Sequence, residues 1–305
     1  MVSVIIPTYN RGKVITRSIN SVLNQTYKDL ELIIVDDCST DNTEEAVKKI
    51  DDPRIIYIRL EKNQGACAAR NVGVASAHGE MIAFQDSDDE WKPDKLVTQI
   101  NALTETNADV CFCKLKRNYN NVDVDDGRIG FFPSLQGSKF MTHEDMCNRA
   151  YISTQTILAW KKVFEEHLFD PKVRKSQDYD WGIRASRNYK FYYLDDVLVD
   201  QYIQKDSLSA AGLIAVKESR QYFLEKYQEE FALNKQFEIY QLKVLTRAKA
   251  LLGENPKGEF KCLYSLDRSL KNSICVFLSE IGLIGVVYKV KEGLLKVLRR
   301  NGDAL

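Results

Sequence analysis

Met81-Ile82-Ala83-Phe84-Gln85-Asp86-Ser87-Asp88-Asp89-Glu90-Trp91-Lys92-Pro93 is a strand-length apolar run that ends in aspartates at 86, 88 and 89. Like charges this close raise one another's pKa and cost free energy unless a cation offsets them. Oxygen ligands at the carboxyl end of a strand suit Mg²⁺ or Mn²⁺, ions that usually keep waters and bind phosphate oxygens as well. The stretch therefore points to a metal-diphosphate site at the end of a buried strand.

Working outward, Val2 to Pro7, Leu30 to Val35 and Ile55 to Arg59 are further apolar runs, with helical spacing over 13–24, 43–50 and 65–77 between them. A helix over 92–105 and a strand over 109–115 continue the series. Strand and helix alternating at this spacing predict right-handed crossovers and an α/β fold with a doubly wound, mainly parallel, Rossmann-like sheet. Ligands bind such sheets beyond the carboxyl ends of the strands. The loops 7–11, 36–39 and 86–88 should thus meet on one rim.

Residues 118–137 are polar and predict a loop or a β excursion, and Ile152 to Leu158 is a β-like run inside the otherwise helical stretch 141–169. A helix is expected over 178–188 and a strand over 191–194. Beyond Ser209 the pattern is helical, broken at Gly253 to Gly258, so the chain is divided at 212 into a catalytic part, 1–212, and a helical C-terminal extension, 213–305.

The 43 basic and 43 acidic residues cancel, which argues against a general nucleic-acid binder. Seven cysteines without Cys-x-x-Cys spacing suggest neither a disulfide framework nor a zinc ribbon. The chain starts directly in a strand, without the basic and apolar regions of a signal peptide, and no window is apolar over the ~20 residues a spanning helix needs. A cytoplasmic protein with reduced thiols is expected. The loop after the first strand carries neither Gly-x-G-x-x-Gly nor a P-loop. In their place stand Tyr9, able to stack on a base, and Asn10 and Arg11, able to hydrogen-bond. Asp36 and Asp37 could accept a base N–H or ribose hydroxyls, or serve as ordinary turn and cap residues.

Val-Ser-Val-Ile-Ile-Pro-Thr-Tyr-Asn-Arg (2–11), Glu-Leu-Ile-Ile-Val-Asp-Asp-Cys-Ser-Thr-Asp-Asn-Thr (31–43), Asn63-Gln64-Gly65 leading to Ala69-Arg70-Asn71, and Phe84-Gln85-Asp86-Ser87-Asp88-Asp89 closely resemble glycosyltransferase family 2. The resemblance covers roughly the first 210 residues. It implies the GT-A fold and an inverting transfer from a nucleotide-sugar donor, a UDP-sugar first, to a glycan or lipid-linked glycan acceptor, with bacterial surface polysaccharide as the setting. It further implies that Pro7, Tyr9 and Asp37 hold the nucleobase and ribose with Asn63 and Arg70 nearby, Arg11 being taken as a further donor contact. Asp86 resembles the ribose-facing first carboxylate of the family's Asp-x-Asp, and Asp88 the metal-binding second, for Mn²⁺ or Mg²⁺. Asp89 is instead expected to cap a helix from Lys92.

An inverting transfer needs a general base. By resemblance this is Asp178 in Ser176-Gln177-Asp178-Tyr179-Asp180-Trp181, with Asp180 as second candidate and Trp181 placed where an acceptor sugar could stack. Two departures stand out: Gln177 replaces the family's usual glutamate, and Gln204 stands where a histidine is common, with Lys205 able to supply charge instead. They keep open a catalytically degenerate nucleotide-sugar-binding scaffold. A sugar-nucleotidyltransferase is the other alternative, although its glycine-rich opening is missing. Finally, the basic amphipathic helix over 286–300 can lie on an anionic membrane, or dock on the catalytic part or a second copy as a homo-oligomer contact.

Overall fold

The computed structural model describes residues 1–119, 122–123, 137–149, 152–203 and 210–291. The apolar runs form β1 (Val2–Thr8), β2 (Leu30–Asp36), β3 (Ile55–Arg59) and β4 (Met81–Phe84), alternating with α1 (Ile15–Leu23), α2 (Thr43–Lys48) and α3 (Ala66–Ser76). Next come β5 (Glu90–Trp91), α4 (Lys95–Thr106), β6 (Val110–Tyr119), β7 (Val122–Asp123), β8 (Lys139–Met141), α5 (His143–Asn148), β9 (Ile157–Trp160), α6 (Lys161–Glu166), α7 (Gln177–Ala185) and β10 (Phe191–Ile203). Within the polar stretch 118–137, Asn120, Asn121, Asp125, Asp126 and Gly127 lie outside the described residues, as do Gln204, Lys205 and 292–300.

The sheet runs β3-β2-β1-β4-β9-β6-β10-β5. Its first four strands are parallel, and so are β6 and β10. Between these two parallel blocks β9 is inserted antiparallel to both neighbours, pairing Met81 with Trp160 on one side and Val110 with Ala159 on the other. The sheet is therefore mixed, and only Ile157 and Leu158 of the β-like run expected over 152–158 enter the strand that joins its halves, Thr154–Thr156 forming a 3-10 turn instead. β1 and β2 are buried at every position, because helices cover both faces and alternate side chains enter two cores. In β1, Val4 and Ile6 point to one core and Ile5 to the other. Helix α3 comes so close to β1 that a Cβ on Gly73 would lie 2.4 Å from Ile5 Cγ2.

Helix α4 starts at Lys95, three residues later than the expected Lys92, with Asp94 at its N-cap. Lys95 is fully buried; its Nζ donates to Gln99 Oε1 at 2.5 Å and stands 4.0 Å from the Trp91 ring centroid. Desolvation pulls its pKa from 10.5 to about 8. That displacement corresponds to about 3 kcal/mol spent on keeping the ammonium charged at neutral pH. The sign is fixed by linkage. Below pH 8 both folded and unfolded chains are protonated there, and the penalty is complete; it fades as pH rises from 8 towards 10.5, where only the unfolded chain still holds the proton. Lys95→Met should thus raise the melting temperature at pH 7, and thermal melts at pH 10 should show a smaller gain.

Packing divides the chain into two compact units, Met1–Pro171 with Gln177–Lys205, and Lys172–Ser176 with Asp206–Leu305. The first is the sheet with its helices. The second contains α8 (Ala210–Lys226), α9 (Gln228–Leu233), α10 (Lys235–Leu251), α11 (Lys257–Leu266), α12 (Leu270–Glu280) and α13 (Ile284–Lys291). The expected break at 253–258 falls between α10 and α11, and Ile239, Leu242, Phe260, Leu263 and Ile284 form a small core. No single helix among the described residues is long and apolar enough to cross a membrane.

Candidate active site

Parallel pairing of β1 with β2 and β4 brings three strand ends together, with Thr8 opposite Asp36 and Ile5 opposite Phe84. Beyond them opens a cavity of about 340 Å³, lined by Pro7, Thr8, Tyr9, Arg11, Asp37, Ala66, Ala69, Arg70, Asp86, Ser87 and Asp88. The loops 7–11, 36–39 and 86–88 do meet on one rim. Asn63 is exposed and does not line the cavity; its neighbours Gln64 and Gly65 donate their backbone N–H groups to the two oxygens of Asp37, each at 2.7 Å. Asp178 also stands outside the lining, at the first turn of α7.

The floor is electrostatically uneven. Asp86 Oδ1 lies 3.3 Å from Arg70 Nη2, while Asp88 Oδ2 is 3.8 Å from Arg11 Nε. Burial and then the Asp86 carboxylate push the pKa of Asp88 up, and Arg11 offsets only part of this. Asp88 is thus a carboxylate short of positive charge. Arg17 donates to its backbone carbonyl and stacks over the Tyr202 ring, 3.6 Å from the centroid, fixing the loop from behind. Arg70 is buried, and its second arm, Nη1, donates to Gln177 Oε1 at 2.6 Å. One guanidinium therefore touches both the cavity floor and the residue that precedes Asp178.

Several residues singled out from the sequence have other work. Asp36 is buried and accepts from Tyr57 Oη at 2.5 Å and Ser39 N at 2.7 Å, which leaves Asp37 as the acidic lining of its loop. Asp89 caps no helix. It is buried and accepts from the backbone N–H of Tyr202 and from Gln155 Nε2, both at 2.9 Å, tying the loop after β4 to β10. Its pKa is pushed well up by burial and by Asp86 and Asp88. Asp180 is fully buried and paired with Arg184 Nε at 2.9 Å, four residues along α7, so it is closed to an acceptor. Trp181 is fully buried and stacked on Phe164 at 4.6 Å, out of reach of a sugar. Asn10 turns its side chain away from the pocket to accept from Thr40 N at 2.8 Å.

Reading the sequence missed Thr8, Ala66, Ala69 and Ser87. Thr8 Oγ1 is buried without a hydrogen-bond partner at the cavity wall, an orphan that a ligand could satisfy. The alanines had a signal, since small side chains at the start of a helix let a ligand approach its N–H groups. Backbone strain had none. Asn10 and Cys38, in the loops after β1 and β2, carry φ of 53° and 66°, strain of a kind found where function dictates loop shape, whereas Asn107, at 52°, merely ends α4.

Hard oxygen donors at this rim suit a divalent cation. Asp86 and Asp88 both line the cavity, and the charge of Asp88 is only partly compensated. Among the described residues no group of three or more His, Cys, Asp or Glu is gathered to hold a metal. A site with so few protein ligands fits an ion that draws the rest of its shell from phosphate and water.

A sheet of this order, with its cavity at the carboxyl ends of β1, β2 and β4, is the GT-A fold of glycosyltransferases. It aligns with Staphylococcus aureus TarS in complex with UDP-GlcNAc at a TM-score of 0.60 and 21% identity, covering 97% of this chain and 91% of that one. The mannosyltransferase PcManGT from Pyrobaculum calidifontis, in complex with GDP-Man and Mn²⁺, aligns at 0.60 and 19% identity, over 95% and 86%. The chain belongs to glycosyl transferase family 2, whose family model matches residues 3–168. TuaG of Bacillus subtilis (strain 168), assigned as a teichuronic acid biosynthesis glycosyltransferase, is 31% identical over 222 residues, 72% of this chain and 85% of that one. The UDP-Glc:alpha-D-GlcNAc-diphosphoundecaprenol beta-1,3-glucosyltransferase WfgD of Escherichia coli is 34% identical over 181 residues, 59% and 68% of the two chains.

Proposed function

We propose that this glycosyltransferase moves one sugar, with inversion, from a UDP-sugar to a hydroxyl of a glycan or lipid-linked glycan in the making of a bacterial surface polysaccharide. The observation that carries the reading is the cavity in which Tyr9, Arg11, Asp37 and Arg70 face Asp86 and Asp88. The nucleobase stacks on Tyr9 against Pro7, and Asp37 accepts from the base or ribose through lone pairs left over from its two backbone bonds. Asp86, steadied by Arg70, faces the ribose; Thr8 Oγ1 gains the partner it lacks. Arg11 and Arg70 draw the diphosphate in.

Asp88 is the residue to hold Mn²⁺ or Mg²⁺, and its raised pKa supports this, since a bound cation relieves the cost of its charge. When bound, such an ion stabilises charge developing on the departing nucleoside diphosphate. Asp178 accepts the proton of the attacking hydroxyl. Its backbone neighbour Gln177 is held by Arg70 at 2.6 Å, so a neutral amide keeps the contact that a glutamate would make and leaves more of the Arg70 charge for the donor.

WfgD, which joins glucose from UDP-Glc to a diphosphoundecaprenol-linked sugar, supports a UDP-sugar donor and a lipid-linked acceptor. The test is to titrate the chain with UDP, GDP and candidate UDP-sugars in the presence of Mn²⁺, then to measure nucleotide release with and without glycan acceptors. UDP binding with acceptor-dependent release is expected. Binding without turnover on any acceptor would favour the scaffold alternative, and preference for GDP would overturn the donor assignment.

A further inference from the structure

Helix α12 is apolar on both sides. Its inner side sets Cys275, Val276 and Leu278 against the small core and also buries two polar residues, Asn272 and Ser279. These are satisfied locally: Asn272 Nδ2 donates to Asp267 O, and Asn255 Nδ2 to Ser279 O, both at 2.8 Å. Its outer side shows Leu270, Ile274, Phe277 and Ile281, one stripe at i, i+4, i+7 and i+11, with Leu270 77% and Phe277 60% exposed. After the break α13 continues the display with Leu283, Val286, Val287 and Val290, again on one face. A soluble helix normally turns its polar residues out and buries the apolar ones.

Two features choose the occupant. Neither helix alone is long and apolar enough to cross a bilayer, and although the pair together has the length and composition of a span, it is bent by 120° at the break, so the surface lies along or dips into a membrane, or rests against a protein. The charge is one-sided as well: Arg268, Lys271, Lys289 and Lys291 are exposed beside the stripe. The neighbouring carboxylates are already engaged: Glu280 is within 3.7 Å of Lys257 and 3.5 Å of Lys261, and Asp267, beside Arg268, is 3.7 Å from Lys243. A second copy docking face to face would set these cations against their own counterparts. A sheet of anionic headgroups over acyl chains complements both the cations and the apolar stripe.

We propose that the α12–α13 face seats the chain on an anionic phospholipid surface, apolar side chains entering the acyl boundary and the flanking cations meeting phosphate. This face begins at Leu270, upstream of the 286–300 segment singled out from sequence, and it rests on the exposure pattern, independently of the sugar-transfer reading. The experiment is flotation of the full chain with phosphatidylcholine vesicles and with vesicles containing phosphatidylglycerol. Binding to the anionic vesicles alone, weakened by salt, is expected. Ile274→Ser with Phe277→Ser should lower the partition by about a hundredfold or more, the loss of two buried apolar side chains. Lys271→Glu and Lys289→Glu, which leave the apolar stripe intact, should each lower it about fivefold. Far-UV dichroism and UDP binding should be unchanged in all of these. Failure to float, or equal flotation of these folded variants, overturns the proposal. So does a wild-type dimer in sedimentation that the serine substitutions dissolve.

Discussion

Asp88→Asn is expected to lower turnover by about 10²–10³-fold, the usual loss when a group that stabilises charge in a transition state is removed. The same substitution should leave the melting temperature unchanged or higher. Burial and Asp86 both disfavour the Asp88 carboxylate, and Arg11 at 3.8 Å compensates only in part. An amide of the same size ends that repulsion. Activity and stability should therefore move apart, a pattern found where a site holds groups that the fold alone would not choose. Nucleotide release and thermal melts on the same preparation check both halves. Full activity in the variant would remove Asp88 from the chemistry, and a large drop in melting temperature would show that its charge is well compensated in the folded chain.

Asp178→Asn carries the second large effect, an expected fall in kcat of about 10²–10⁴-fold, the range for a lost general base. Donor affinity should not change, because Asp178 stands outside the cavity lining whereas Arg70 and Asp86 are in it. The measurement is UDP-sugar titration alongside acceptor-dependent release. Weakened donor binding with unchanged kcat would make α7 part of the donor site and leave the base unassigned. Asp180→Asn is the contrasting variant: its carboxylate pairs with Arg184 and is fully buried, so its loss should appear in stability, by about 3–5 kcal/mol when one partner of a buried pair is left alone.

The parallel half of the sheet was legible because local signals agreed there. Val2 to Pro7, Leu30 to Val35 and Met81 to Phe84 are short apolar runs bounded by polar loops, and the chain order of strand, helix and strand leaves little choice of topology. The cavity followed from those strands, since the ends of neighbouring parallel strands must lie together. The antiparallel insertion of β9 was not legible. Ile157 to Trp160 is too short to reveal its partners, and periodicity does not carry direction. The fates of the acidic residues were equally hidden. Asp36 and Asp37 are adjacent and identical in type, yet Tyr57, from β3, claims the first. Asp89 looks like a cap by position, but Tyr202 and Gln155, far along the chain, decide its role. Trp181 is similar: an aromatic beside a catalytic candidate suggests a sugar platform, and only the packing of Phe164 and Phe169 against it shows a core residue.

The near contact of Gly73 with Ile5 sets a rule for anyone redesigning this enzyme. Replacing a mid-helix glycine by alanine is a standard way to stiffen a scaffold and ordinarily gains roughly 0.5–1 kcal/mol. Here the added methyl would lie 2.4 Å from Ile5 Cγ2, and the strand it would push is the one that ends at Pro7, Thr8 and Tyr9. Stiffening α3 would therefore be felt first as a shift in the donor's bed. The two positions form a single volume, and an alanine at 73 becomes useful only in a chain that has already given up a branch at 5.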